Sequence, residues 1–139
     1  MISEQEVKNK YIELQLLIQQ IKPLQQQVVL VEQQIFDYNQ IMENLNEISN
    51  LKEGEEIFTQ LNPGIFIKTI LKDTKDVIIN IGADTVITKD IKNAKEFIEK
   101  QINELKKINK DLEDELKKLL VQNQDIQEEL QNLIKKEGI

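Results

Sequence analysis

The stretch that decides the fold lies in the middle of the chain, at residues 54–88: GEEIFTQLNPGIFIKTILKDTKDVIINIGADTVIT. It contains four short runs rich in β-branched residues, at 57–61, 65–71, 77–81 and 85–88, and a turn signal separates each run from the next. The turn signals are Asn62-Pro63-Gly64, Asp73-Thr74-Lys75-Asp76 and Gly82-Ala83-Asp84. The segment therefore predicts two β-hairpins.

Two of these strands are apolar on consecutive residues, Ile65-Phe66-Ile67 and Val77-Ile78-Ile79. Because successive side chains of a strand point to opposite faces, both faces need burial. Four short strands bury too little surface by themselves and leave unpaired edges. We therefore expect strands of other subunits to complete the sheet, and we predict that the oligomer is held by Ile57, Phe58, Ile65, Phe66, Ile67, Val77, Ile78, Ile79 and Ile81.

Residues 1–53 have the apolar periodicity of a coiled-coil helix. Two consecutive steps of three residues, from Ile18 to Leu24, predict a stammer in the heptad pattern. Pro23 lies inside it and is expected to bend the helix without ending it, although it could also separate two helices. The predicted inward residues are Val7, Tyr11, Leu14, Ile18, Ile21, Leu24, Val28, Val31, Ile35, Tyr38, Met42, Leu45 and Ile48.

Residues 89–139 predict a second helix of similar length, which either Thr88 or Asp90 can cap. Glu and Lys occupy most of the outward positions, and a stutter is expected after Leu112. The predicted inward residues are Ile91, Ala94, Ile98, Gln101 or Ile102, Leu105, Ile108, Leu112, Leu116, Leu119, Asn123, Ile126, Leu130 and Leu133.

The two helices are predicted to pack against each other as an antiparallel hairpin. Neither helix can bury its apolar stripe alone, and the two stripes match when facing residues lie equally far from residue 70. Val28 then faces Leu112, and Met42 faces Ile98. The predicted fold class is α+β, in a single domain over 1–139: a first coiled-coil helix (1–53), two β-hairpins (54–88) and a second coiled-coil helix (89–139).

The composition excludes many kinds of chemistry. The chain has 139 residues, no Cys, His, Trp or Arg, and a net charge of −7. It therefore lacks the residues for a disulfide framework, a Cys/His metal site, thiol catalysis or a His-containing triad. The negative charge argues against binding nucleic acid or an anionic membrane, and no apolar run approaches the length of a membrane span. We expect a cytoplasmic protein without a cofactor.

Clusters of acidic residues are the remaining candidates for catalysis or for metal binding. Asp111, Glu113, Asp114 and Glu115, or Asp73 with Asp76, could in principle act in catalysis or hold a divalent cation, but their spacing matches no EF-hand loop. We interpret the larger cluster as the solvated exterior of the coiled coil and expect no enzyme. A structural or adaptor coiled coil stays open as an alternative. A nucleic-acid-binding arm is disfavoured because acids offset the Lys residues of 89–139.

Residues 53–98 carry a family resemblance. Glu53-Gly54-Glu55-Glu56-Ile57 through Gly64-Ile65-Phe66-Ile67-Lys68, then the turn, strand and glycine of residues 73–83, then the helix entry of residues 88–98, resemble the α-class subunit of prefoldin. Two hairpins rather than one favour the α class over the β class. The helices extend the resemblance over essentially the whole chain.

The resemblance implies an ATP-independent chaperone that holds unfolded polypeptides and passes them to a group II chaperonin. Two α-class and four β-class subunits would join through a double β-barrel, into which the two hairpins would fit, and six coiled coils would project from it. Filament-forming relatives also exist within the α class. The sequence has no Gly-rich phosphate loop, which is compatible with an activity that needs no nucleotide.

Clients are expected to bind at the open end of the coiled coil, where helix ends fray and expose apolar groups. Ile2, Ile12 and Ile134 lie outside the predicted inward positions, as do Leu16 and Leu17. The other candidates have an alternative, purely structural role, which is to close the coiled coil. The predicted client-binding residues are Ile2, Val7, Tyr11, Ile12, Leu130, Leu133 and Ile134.

Overall fold

A computed structural model of the protein describes residues 4–136. Helix, two hairpins and helix follow one another as predicted, and the elements are α1 (Glu4–Ser49), β1 (Glu56–Asn62), β2 (Ile65–Ile70), β3 (Asp76–Gly82), β4 (Thr85–Asp90) and α2 (Ile91–Lys136). The chain divides into two compact units. The arm unit comprises the residues up to Gln34 and those from Leu105 onward, and the hairpin unit comprises Ile35–Glu104.

Each hairpin of the hairpin unit is an antiparallel two-stranded sheet of its own, β1 with β2 and β3 with β4. Gly64 closes the first turn with a φ of 86°, in the positive region that the third residue of a type II turn requires. Ala83 and Asp84 close the second turn, and both have positive φ, as in the type I′ turns that suit the twist of a hairpin. The predicted turns are thus confirmed.

The start of α2 is anchored to the second hairpin. The Asp90 carboxylate accepts a hydrogen bond from the backbone N–H of Asn93 at 2.7 Å, which caps the helix, whereas Thr88 lies inside β4. The backbone N–H of Ile91 also donates to the carbonyl of Lys75 at 2.9 Å. Of the two predicted caps, Asp90 is therefore the one that the chain uses.

The core of the hairpin unit lies where both helices meet the second hairpin. Leu45 of α1 is buried with four residues of α2: Ile91, Ala94, Ile98 and Ile102. Val77 and Ile79 of β3 pack against this cluster. Because Ile78 lies between them, its side chain points to the opposite face of the strand and is exposed. The second hairpin is thus held by one apolar face while its other apolar face stays uncovered.

In the arm unit, α1 and α2 pack antiparallel. The Lys10 ammonium lies 2.6 Å from the Glu129 carboxylate, and these two residues are almost equally far from residue 70, as the predicted register requires. Leu17, Ile21 and Leu130 are buried. Helix α1 continues through Pro23, so the prediction that this residue does not end the helix is confirmed.

The predicted stammer of α1 is wrong. Lys10 and Leu17 face inward, whereas the predicted inward residues Tyr11 and Ile18 are exposed. Steps of three and four residues therefore alternate without interruption, and no local overwinding is needed. The inward or half-buried positions at this end of α1 are Val7, Lys10, Leu14, Leu17, Ile21 and Leu24.

The stutter predicted after Leu112 in α2 is also wrong, because here too a polar residue occupies an inward position. Asn109 is half-buried at the heptad position between Leu105 and Leu112, and Ile108 is 49% exposed. From Ile98 onward, steps of four and three residues therefore alternate without interruption, with polar Asn109 at one of the inward positions. Two consecutive steps of four residues lie earlier in the helix, from Ala94 through Ile98 to Ile102. Polar residues at such positions fix the register of a coiled coil at a cost in stability.

Asn109→Leu is expected to raise the free energy of unfolding by about 1 kcal/mol. The Asn109 Nδ2 donates to the Glu113 carboxylate at 3.2 Å, but its buried Oδ1 has no hydrogen-bond partner within the described residues. Leu would remove this unpaired acceptor and add apolar burial. Denaturant unfolding at fixed protein concentration measures the gain, and Asn132→Leu at an exposed position of the same helix is the control. A lower stability of Asn109→Leu than of the unmodified chain would contradict the assignment.

Candidate functional site

The hairpins expose an extensive apolar surface. Among the predicted oligomerisation residues, Phe58 is 68% and Ile78 is 72% exposed, whereas Val77 and Ile79 pack against the helices and Ile57 is half-buried. We call the exposed set the strand surface; its members are Phe58, Leu61, Ile65, Phe66, Ile67, Ile70, Ile78, Ile81 and Val86. Large exposed apolar surface on short strands is characteristic of protein–protein interfaces.

The residues predicted from the sequence to hold the oligomer do not include three members of the strand surface: Leu61, Ile70 and Val86. Alternation could have found Ile70, because it lies four residues after Phe66 on the same strand. Leu61 is the extra residue between the pairs Gln60–Phe66 and Asn62–Ile65, and such a bulge breaks the alternation. Its orientation therefore could not be read from the period of the strand.

The open end of the arm unit carries a second apolar surface, smaller than the predicted one. Tyr11 and Ile12 are half exposed, and Leu16 is 52% exposed; we call these three residues the arm-end surface. Val7, Leu133 and Ile134 are half-buried. Leu130 is only 6% exposed, because it closes the helix pair, and Leu17 is also buried rather than free. The predicted contact at Ile2 lies outside the described residues.

A cleft between the helices adjoins the arm-end surface. It has a volume of about 320 Å³, and its lining residues are Glu13, Leu16, Leu17, Gln20, Gln122, Asp125 and Ile126. The lining combines three apolar side chains with two carboxylates and two amides.

Lys10 holds the two helices together close to this cleft. Its ammonium lies 2.6 Å from the Glu129 carboxylate and 3.8 Å from that of Glu13. The hydrogen bond to Glu129 and the negative charges around it raise the pKa of Lys10 above its ordinary value of 10.5. Lys10 therefore stays charged throughout the neutral range, and an ion pair replaces an apolar contact at this inward position.

The acidic residues considered as candidates for catalysis or metal binding have structural or solvated surroundings. Asp73 accepts hydrogen bonds from the backbone N–H groups of Lys75 and Asp76, which shapes the turn between β2 and β3. Glu113 accepts from Asn109. Within residues 4–136, no group of three or more acidic side chains is arranged to hold a metal ion. A search of the same residues finds no helix apolar and long enough to span a membrane.

The chain thus consists of two β-hairpins with exposed apolar residues that lie between two long helices in the sequence. The family model of prefoldin subunits matches residues 17–136. The prefoldin subunit alpha of Methanococcus aeolicus is 31% identical over 103 residues, which cover 74% of this chain and 69% of that protein. The one of Archaeoglobus fulgidus is 28% identical, with coverage of 76% and 77%.

A solved structure has the same fold. The cryo-EM structure of filamentous PFD from Methanocaldococcus jannaschii matches with a TM-score of 0.71 at 18% identity, covering 81% of this chain and 93% of that one. The chain belongs to the prefoldin family. Its predicted resemblance to the α-class subunits is confirmed by the alpha relatives, and the family is one of non-enzymatic chaperones.

Proposed function

We propose that this protein is a subunit of an ATP-independent chaperone that binds unfolded polypeptides at the arm end and passes them to a group II chaperonin in the cytoplasm. The observation that carries the proposal is the coexistence of two exposed apolar surfaces on one chain, the strand surface and the arm-end surface. The strand surface suits permanent assembly. The arm-end surface is smaller and therefore suits transient contact.

The strand surface supports assembly with other subunits of the family. Two α-class subunits would combine with four prefoldin β-class subunits, and their strands would complete the two isolated two-stranded sheets of each α subunit. Completion pairs the open strand edges and covers the apolar groups in the same step. No cofactor enters the proposal, since binding energy alone accounts for capture.

The arm-end surface supports weak and reversible capture. Partial burial of each of its three apolar side chains would contribute about 1 kcal/mol, so one arm alone binds a client weakly. Several arms acting on one client raise the overall affinity without new contacts. Weak individual contacts also allow release to a chaperonin without nucleotide.

Replacing Tyr11, Ile12 and Leu16 together by Gln is expected to abolish the suppression of client aggregation while leaving assembly intact. Gln keeps the helix propensity and removes the apolar contacts. The measurement is light scattering of a chemically denatured client diluted into the assembled complex without nucleotide. The matched control replaces Phe36, Ile41 and Ile108, which are exposed in other parts of the helices. Equal protection by the two triple variants would contradict client capture at the arm-end surface.

A filament-forming protein is the second candidate function. The similar structure from Methanocaldococcus jannaschii is that of a filamentous PFD, which is the observation that favours it. Open strand edges can template a repeating assembly as well as a closed one. Electron microscopy of the purified chain without β-class subunits distinguishes the two: filaments favour this candidate, and closed particles that form only with β-class subunits favour the chaperone complex.

A further inference from the structure

The cleft of the arm unit has the dimensions of a small binding site. Its volume of about 320 Å³ is near the lower end of the roughly 300–1,000 Å³ of ligand pockets, which suits one or two side chains of an extended chain. Leu16, Leu17 and Ile126 provide the apolar lining. The amides of Gln20 and Gln122 each offer both donors and an acceptor, as the backbone of an extended polypeptide requires.

The charged side chains that line the cleft are both acidic. Glu13 and Asp125 line it, and residues 119–134 of α2 also contain Glu128 and Glu129 but no Lys. Residues 11–21 of α1 contain no Lys either. Like-signed charges at the rim of a concave site attract ligands of the opposite sign and repel those of the same sign.

Lys10 offsets only part of this negative charge. Its ammonium pairs with Glu129 at 2.6 Å and is farther from the Glu13 carboxylate, at 3.8 Å. Within the part of the chain that the structure describes, the Asp125 side chain has no hydrogen bond or ion pair. Its negative charge is therefore available to a bound ligand.

We infer that this cleft selects the segments of unfolded polypeptides in which an apolar side chain stands next to Lys or Arg. The apolar group enters between Leu16 and Ile126, and the adjacent cation lies against Asp125 and Glu13. The inference rests on the proposed function and adds a client preference to it: cationic apolar segments bind, and segments with Asp or Glu beside the apolar group are repelled.

The test uses three fluorescent glycine–serine peptides, each with a central Phe flanked by two Lys, two Gln or two Glu residues. Anisotropy with the assembled complex of full-length chains is expected to give about fivefold tighter binding of the Lys peptide than of the Gln peptide, and weaker binding still of the Glu peptide. The preference should shrink as salt is raised, because the carboxylates are partly exposed.

Two variants connect the preference to the cleft. Glu13→Gln with Asp125→Asn should remove most of the difference between the Lys and Glu peptides, and Asp125→Asn alone should reduce it without altering any contact within the described residues. The matched control is Glu32→Gln with Asp111→Asn, which removes the same charge from the same two helices outside the cleft. This control should keep the preference.

Equal affinities for the three peptides would overturn the inference, as would an equal loss of preference in the control variant. A second copy of the chain in the cleft is a further overturning outcome. It is detected with Gln122→Cys, the only thiol in an otherwise cysteine-free chain, if a crosslinker at that residue joins two copies and the peptides do not compete. Failure of the proposed function is distinct, since the complex would then neither bind any of the peptides nor suppress client aggregation.

Discussion

Replacing Ile78 by Asp is expected to dissociate the oligomer into free subunits. Ile78 is the most exposed large apolar residue of the strand surface, so burial by another subunit would contribute about 2 kcal/mol for its side chain. An Asp in its place would put an unpaired carboxylate into an apolar contact, which costs several kcal/mol more. Sedimentation velocity should show the loss of the assembled species at concentrations where the unmodified complex is intact.

The fold of each subunit should survive this change. Val77 and Ile79 hold β3 against the helices, and Ile78 faces away from them. The circular dichroism of the variant should therefore remain that of the unmodified chain. Ile108→Asp is the matched control, because it adds the same charge at an exposed Ile of α2 and should leave assembly unchanged. An Ile78→Asp variant that sediments like the unmodified oligomer would contradict assembly through the strand surface.

Replacing Ile98 by Ala is expected to lower the free energy of unfolding by about 2–5 kcal/mol. Ile98 is 5% exposed in the core cluster of the hairpin unit, where α1, α2 and β3 meet. Its truncation leaves a cavity that the surrounding residues fill only in part. A loss of this size is a large fraction of the stability of an ordinary domain. Denaturant unfolding followed by circular dichroism measures it at fixed protein concentration, since assembly also contributes to stability.

Ile108→Ala is the matched control, with the same residue type on the same helix. Ile108 is about half exposed, so its truncation should cost well under half as much as that of Ile98. The comparison also tests the heptad pattern of α2. The predicted stutter after Leu112 would turn Ile108 inward and make the two losses equal, whereas the observed pattern, with Asn109 inward, makes them unequal.

The hairpins were predictable because their signals are local. Turn residues with required backbone conformations, Gly64 above all, and short β-branched runs fix both the number and the order of the strands. Asp90 was one of two predicted caps, and the choice between them needed the structure because Thr88 is paired in β4. The apolar character of both faces of β3 was also visible in the sequence and is reflected in the packing of Val77 and the exposure of Ile78.

The inward positions of the helices were harder to predict. Leu16, Leu17 and Ile18 are consecutive and apolar, so hydrophobicity alone does not say which of them faces the partner helix. Lys10 and Asn109 occupy inward positions although they are polar, and a search for apolar residues passes over them. The structure resolves both ambiguities: Leu17 is the buried one of the three, and Lys10 is held at its inward position by its ion pair with Glu129 of the other helix.

Which residues are exposed at the arm end was predictable only in part, because this depends on the inward positions of the helices. Tyr11 and Ile12 are exposed, as an apolar contact surface requires, but Leu130 is buried between the two helices. Moving the inward position from Ile18 to Leu17 leaves Leu16 exposed, where it lines the cleft together with Glu13 and Asp125. The two carboxylates of the cleft come from different helices, so the charge of the cleft could be predicted only once the register of the helices was known.

The central claim is that the strand surface is covered by other subunits of the family. Native mass spectrometry of the full-length chain, alone and mixed with a prefoldin β-class subunit, tests it most directly. The expected result is a stable hetero-oligomer in the mixture, with two copies of this chain and four of the β-class subunit. A chain that remains a stable monomer both alone and in the mixture would contradict it.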